Sequence, residues 1–143
     1  MFGDKNLELA KAQAVTTAAI IGNYLDLEEG GAVDNMLGPS YLNVIVETAF
    51  AGMASGAAIE LRTSDNADLV TGARVLASIG NDDKPLTAAM LTEGARFSVQ
   101  VPGAICDKYL GAFWNPVSEA ASAGKLDVSI DPFPLYPLKQ QKV

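Results

Sequence analysis

A chain of 143 residues is one domain of ordinary size and can bury roughly two thirds of its unfolded surface without help from a metal or a disulfide. With no histidine and a single cysteine, it can form no Ser-His-Asp or Cys-His catalytic unit, no imidazole acid–base catalyst and no four-ligand Cys/His zinc site. Seventeen acids against ten scattered bases leave a net charge of −7, which excludes the basic footprint needed to displace counterions from nucleic acid or to dock on an anionic membrane.

The first residues, Met1-Phe-Gly-Asp-Lys-Asn, have neither the basic start nor the apolar run of a secretory leader. They are expected to be a flexible end, residues 1–6, on a protein made in the cytoplasm. Residues 7–21 are alanine-rich and would fit a helix through Leu9, Ala12, Thr16, Ala19 and Ile20. The β-branched Val15-Thr-Thr and Ile20-Ile21 favour extended chain instead, with a strand near 13–17. A weaker strand candidate follows at 23–27.

The clearest signal is period-2 alternation. In residues 41–47, Leu42, Val44 and Val46 share one face, with Asn43 and Glu47 on the other. Residues 52–56 hold two glycines without the Lys-Ser/Thr ending of a phosphate loop, and suggest a flexible or bulged hairpin connection. In 58–63, Ile59 and Leu61 alternate with Glu60 and Arg62. Strands are weaker at 74–79 and 86–91 and clean again at 95–101, where Phe97, Val99 and Val101 oppose Arg96, Ser98 and Gln100.

Cys106, between Ile105 and Asp107, has no electropositive setting to activate a thiol. Residues 108–114 form another strand candidate, in which Tyr109 and Trp114 would make either a sugar-stacking platform or ordinary core. The surrounding Leu110, Ala112 and Phe113 favour core. Residues 115–124 suit a short helix or a plain loop. Residues 125–131 repeat the alternation with Leu126, Val128 and Ile130. Such spacing leaves one face of an antiparallel sheet packed and the other wet.

The fold expected is therefore all-β: a jelly-roll-like antiparallel β-sandwich of about eight strands with extended termini, occupying residues 1–131. After it come residues 132–143, a Pro-rich extended arm in which prolines at 132, 134 and 137 forbid a central strand. Large apolar groups on a stiff arm need cover, either from their own sandwich or from a neighbouring subunit. Phe133, Leu135, Tyr136 and Leu138 on the arm, with Phe2 and Leu7 at the other end, are the candidate interface anchors. Acid clusters at 26–34, 65–68 and 82–83 lack calcium-loop spacing and suit solvated turns. No catalytic, cofactor-binding or metal-ligating set stands out.

Taken in order, several segments resemble the capsid cement (decoration) proteins of short-tailed bacteriophages. The opening Leu7-Glu-Leu-Ala-Lys-Ala-Gln-Ala-Val-Thr-Thr-Ala-Ala is similar to that family's start, and Asn23-Tyr-Leu-Asp-Leu follows. Tyr41-Leu-Asn-Val-Ile-Val-Glu-Thr-Ala-Phe resembles its strand ending in Thr-Ala-Phe. Ala57-Ala-Ile-Glu-Leu-Arg-Thr-Ser-Asp resembles its strand and turn ending in Thr-Ser-Asp. Leu91-Thr-Glu-Gly-Ala-Arg-Phe-Ser-Val-Gln-Val-Pro, Lys108-Tyr-Leu-Gly and Ala123-Gly-Lys-Leu-Asp-Val-Ser-Ile-Asp complete the series.

The likeness spans about residues 7–131; the tail and the acidic stretch at 28–34 depart from it. It implies a structural protein without enzymatic activity or cofactor. Such a protein would sit on the outer capsid surface of the virion, grip adjacent subunits of the major capsid protein and associate with itself. Symmetry favours a homodimer over a homotrimer. The alternatives are a carbohydrate-binding jelly roll using Trp114 or Tyr41, and another virion structural β-domain.

Overall fold

The structure is a computed structural model that describes residues 8–14, 18–26, 36–37, 40–81, 83–101, 104–105, 107–117, 120–131 and 133–135. Its strands are β1 (Glu8–Ala14), β2 (Ala19–Asp26), β3 (Met36–Leu37), β4 (Ser40–Ala51), β5 (Ala57–Ser64), β6 (Arg74–Ile79), β7 (Arg96–Val101), β8 (Ala104–Ile105), β9 (Tyr109–Pro116) and β10 (Ala123–Asp131). No helix occurs among the described residues. Both β1 and β2 are strands, so the alanine-rich stretch is extended wherever it is described; residues 15–17, most of the strand expected near 13–17, lie outside the described residues.

The pairing has a simple logic. β5 pairs with β6, β4 with β7, β3 with β8, β2 with β9 and β1 with β10, all antiparallel. The chain is one long two-stranded ribbon, bent at its tip between β5 and β6. Rolling that ribbon brings β10 against β4 and β9 against β5, which closes two four-stranded sheets. The first runs β1-β10-β4-β7 and the second β2-β9-β5-β6. This is the jelly roll, a β-sandwich of eight main strands. β1 lies beside β2 along one side of the sandwich, and β6 beside β7 along the other.

Alternating residues from both sheets fill the space between them. Leu42, Val44, Val46, Leu126, Val128 and Ile130 of the first sheet meet Ile59, Leu61, Leu110, Ala112 and Trp114 of the second. Phe50 stacks on Trp114 with ring centroids 5.0 Å apart. The Phe50 ring lies flat on the backbone of Gly124, where an added Cβ would sit 2.4 Å from it. Only glycine permits that contact, so the β4–β10 pairing shifts register at this end.

Three expectations need correction. The first is the strand at 86–91. Leu86 exchanges two hydrogen bonds with Ala57 and nothing more of the segment is strand; the Thr87 carbonyl then accepts from Met90 and Leu91 in a tight turn. Leu86 and Leu91 are both buried, as plugs at the two ends of that turn rather than as one face of a strand.

The second concerns Gly52 and Gly56, which do not turn a hairpin. They carry β4 of one sheet over to β5 of the other, both at positive φ. The third is the wet outer face: Asn43, Asp127, Ser129 and Asp131, on the side of their strands opposite the core, are at most 5% exposed. The short pair β3–β8 has no alternation to announce it. Cys106 lies outside the described residues.

Candidate interaction surface

The candidate anchors divide. Phe2, Leu7, Tyr136 and Leu138 lie outside the described residues. Phe133 and Leu135 are described, and both sit where the end of the chain leaves β10 and crosses the outside of its own first sheet. The residues that hold them there are polar: Asn43, Ser129 and Asp131 are buried, and Ser98 at the sheet edge is exposed.

The antiparallel registers place Ser129 of β10 opposite Asn43 of β4, and Asn43 opposite Ser98 of β7. The three side chains form a row across the outer face. Asn43 Nδ2 donates to the Asp131 carboxylate at 2.9 Å and to the backbone carbonyl of Phe133 at 2.9 Å. Ser129 Oγ donates to the same Asp131 oxygen at 2.7 Å, and Ser98 Oγ donates to Asn43 Oδ1 at 2.7 Å. The Leu135 N–H then donates to Ser98 Oγ at 2.9 Å.

Two side chains thus grip the arm by its backbone: Asn43 through the Phe133 carbonyl and Ser98 through the Leu135 N–H. The Phe133 ring is 58% exposed, while Leu135 is half-buried. On the question of what covers the arm, the described part, up to Leu135, lies on its own sandwich.

Further along the same face, Asp127 and Glu47 form an acid pair beside Lys11. Lys11 Nζ reaches Asp127 Oδ2 at 3.2 Å and Glu47 Oε1 at 3.7 Å. Ala12, held at φ 48°, turns its N–H onto Asp127 where β1 bulges. The hydrogen bond and like charge of Asp127 push the Glu47 carboxyl above its usual range. Burial pulls Asp127 upward, but its bonds from Glu47, Ala12 and Lys11 outweigh it, leaving the carboxyl below its usual range.

The outside of the second sheet is covered differently. Registers align Tyr24, Gly111, Arg62 and Val75 in one row across β2, β9, β5 and β6. Gly111 leaves a notch in that row, and Leu69 from the ribbon tip fills it: a Cβ on Gly111 would come 2.8 Å from Leu69 Cδ1. Leu69 is fully buried at φ 55°, an unusual backbone for a leucine, held because the surrounding loop fixes it.

Asp68 accepts from the N–H groups of Val70 (2.9 Å) and Thr71 (3.1 Å), and Ser64 Oγ donates to the Thr71 carbonyl at 2.6 Å. The first of these bonds does most to hold the Asp68 carboxyl below its usual range. Arg62 lies 3.9 Å over the Phe113 ring, pairs with Glu60 at 2.6 Å and donates to the Leu69 carbonyl at 3.1 Å. Tyr24 and Tyr109 meet edge to face with centroids 5.2 Å apart, and Tyr24 remains 45% exposed.

Trp114 is fully buried, stacked on Phe50 between the sheets, so it offers no face to a sugar. Tyr41, the other residue considered for that role, is half-buried on β4 beside Gln100. The Asn43–Asp131–Ser98 grip on the chain end escaped the sequence reading. Its only trace there is a polar residue at the same level of three different strands, visible once register is known.

A comparison with protein-family models finds a match to Bbp16, a phage-associated family, over residues 9–130. No curated protein matches the chain.

Proposed function

This chain belongs to the Bbp16 family, and from that premise we propose that it is a structural virion protein that binds the outside of a phage capsid. There it stabilises contacts between subunits of the major capsid protein. The observation that carries this reading is the extent of the family match. Residues 9–130 cover almost the same stretch as the segments that resemble capsid cement proteins, about 7–131, and that stretch folds as a jelly roll.

Such a role requires a stiff block with gripping ends, and no bond-making chemistry. The rolled ribbon is the block. The chain end crossing Asn43 and Ser98, with Phe133 turned to solvent, is one grip. Several modest contacts suffice, because after the first subunit is held each further contact is effectively intramolecular. The net charge of −7 keeps the free protein soluble before it meets the shell. Self-association as a homodimer belongs to the same proposal.

The test mixes purified protein with expanded shells that lack it. The expected result is co-sedimentation at a fixed ratio and shells that survive a higher temperature. Phe133→Ala should weaken the co-sedimentation while leaving the unfolding temperature of the free protein nearly unchanged. Shells that neither retain the protein nor gain heat resistance would refute the proposal.

A further inference from the structure

The two sides of the sandwich are finished differently. On one side β1 is bulged twice against β10 and β2 once against β9. Gly22 of β2 packs so closely on Leu9 and Ala10 that an added Cβ would lie 2.3 Å from the Leu9 carbonyl oxygen. Irregular, closely packed strands of this kind accept no further partner.

On the other side β7 ends the first sheet as a regular strand. Its register with β4 runs without interruption from Ser40↔Val101 to Ile45↔Arg96. Its sequence, Arg96-Phe-Ser-Val-Gln-Val101, has high strand propensity, one charge and no proline, and so lacks the usual devices that blunt an edge.

The hydrogen-bond phase of that edge follows from its neighbour. The Val46 N–H donates to the Ala95 carbonyl, so the odd-numbered residues of β7 face β4. The N–H and C=O groups of Arg96, Ser98 and Gln100 face away from the sheet. Among the described residues no strand or loop pairs with them.

We propose that this edge pairs with the same edge of a second copy, β7 against β7 about a two-fold axis, joining the two first sheets into one continuous sheet. The inference rests on the self-association proposed above and names its surface. Antiparallel pairing requires outward-facing residues to oppose one another. The register centred on Ser98 uses all of them, setting Ser98 against its own copy and Arg96 against Gln100, each pair exchanging two hydrogen bonds. A shift by two residues toward the strand's C-terminal end would bring in Pro102, which has no N–H to give.

The same register sets Phe97 beside Val99 on the core side and opposes no like charges. β7 carries no acid, in a chain of net charge −7, so this edge can meet its own copy without local repulsion. Arg96 and Gln100 make no hydrogen bond or ion pair among the described residues, and both are exposed.

The test is sedimentation of the full chain over about 10–500 µM, comparing the wild type with Gln100→Glu and Gln100→Lys. The two-fold axis applies each change twice, opposite Arg96 of the other copy. Gln100→Glu should tighten the dimer about five-fold and Gln100→Lys should loosen it by a similar factor, within the range of cross-strand charge pairs. Net charge alone predicts the reverse order, because −7 becomes −8 in the first variant and −6 in the second.

Hydrogen exchange at the Ser98 and Gln100 amides should slow as the dimer forms. A wild type that stays monomeric over the whole range overturns the proposal, as does the reverse order of the two variants. Protection that appears only when shells are added would assign the edge to a shell segment and overturn self-pairing, while leaving capsid binding intact.

Discussion

The chain end after β10 and the tip of the ribbon both fold back on the sandwich, one on each outer face, and they are fixed by opposite means. The chain end on the first sheet is held by polar side chains reaching its backbone: Asn43 takes the Phe133 carbonyl and Ser98 takes the Leu135 N–H. The tip on the second sheet is held by an apolar plug, Leu69 in the notch above Gly111, with Arg62 and Asp68 bracing the loop around it. A plug fixes position by shape and shields the sheet. A backbone grip is indifferent to the gripped side chains and leaves Phe133 largely exposed. The difference separates a segment fixed by its own side chain from one fixed through its backbone alone.

The comparison breaks most severely at Asn43. Asn43→Leu removes the donor that holds Asp131, a carboxylate only 4% exposed, and leaves Ser129 as its remaining donor among the described contacts. A buried charge stripped of a partner should cost about 2–4 kcal/mol, with a lower urea midpoint and faster exchange of the Leu135 amide. An unchanged midpoint would mean that the grip contributes nothing to the fold.

On the opposite face, Leu69→Ala empties the notch. The lost packing costs about 2 kcal/mol, at the low end for a buried leucine because alanine retains the strained backbone but the site is close to solvent. Its effect should stay local, with exchange rising across 65–73 and at Gly111 while the Asn43 side stays protected. Loss of protection on both faces together would show that the tip and the ends are not independent.

The smallest effect is a pH dependence confined to the first sheet. Glu47 has a raised carboxyl, so its contribution is fully present below its unfolded value near 4.5 and is lost as pH climbs through the higher folded value. Asp127 has a lowered carboxyl, so its contribution is present above an unfolded value near 3.8 and is lost as pH falls through the lower folded value. Glu47→Gln should therefore reduce the drop in melting temperature between pH 4.5 and 7. Removing the cation with Lys11→Met should enlarge that drop. Identical profiles for all three proteins would mean that the pair is not formed.

Alternation in 41–47, 58–63, 95–101 and 125–131 was enough to identify four strands and their buried faces, because a side chain every second residue on one face is a local property of extended chain. The same rule misassigned 86–91, where the two buried leucines sit at either end of a turn, and it says nothing about a pair as short as β3–β8. Of the candidate anchors, Phe133 was legible as a large apolar group on a proline-rich arm. Its holders were not, since Asn43, Ser98 and Asp131 are far apart in the chain.

What the residues alone determined is the class of the molecule: all-β, acidic and devoid of imidazole. Composition and period-2 patterning are properties of single segments and need no knowledge of their neighbours. The nesting of strands along one rolled ribbon, the burial of polar residues on an outward face and the regular, unpaired edge at β7 were decided only in three dimensions. Each depends on which strand lies beside which, and register joins residues that share no local signal.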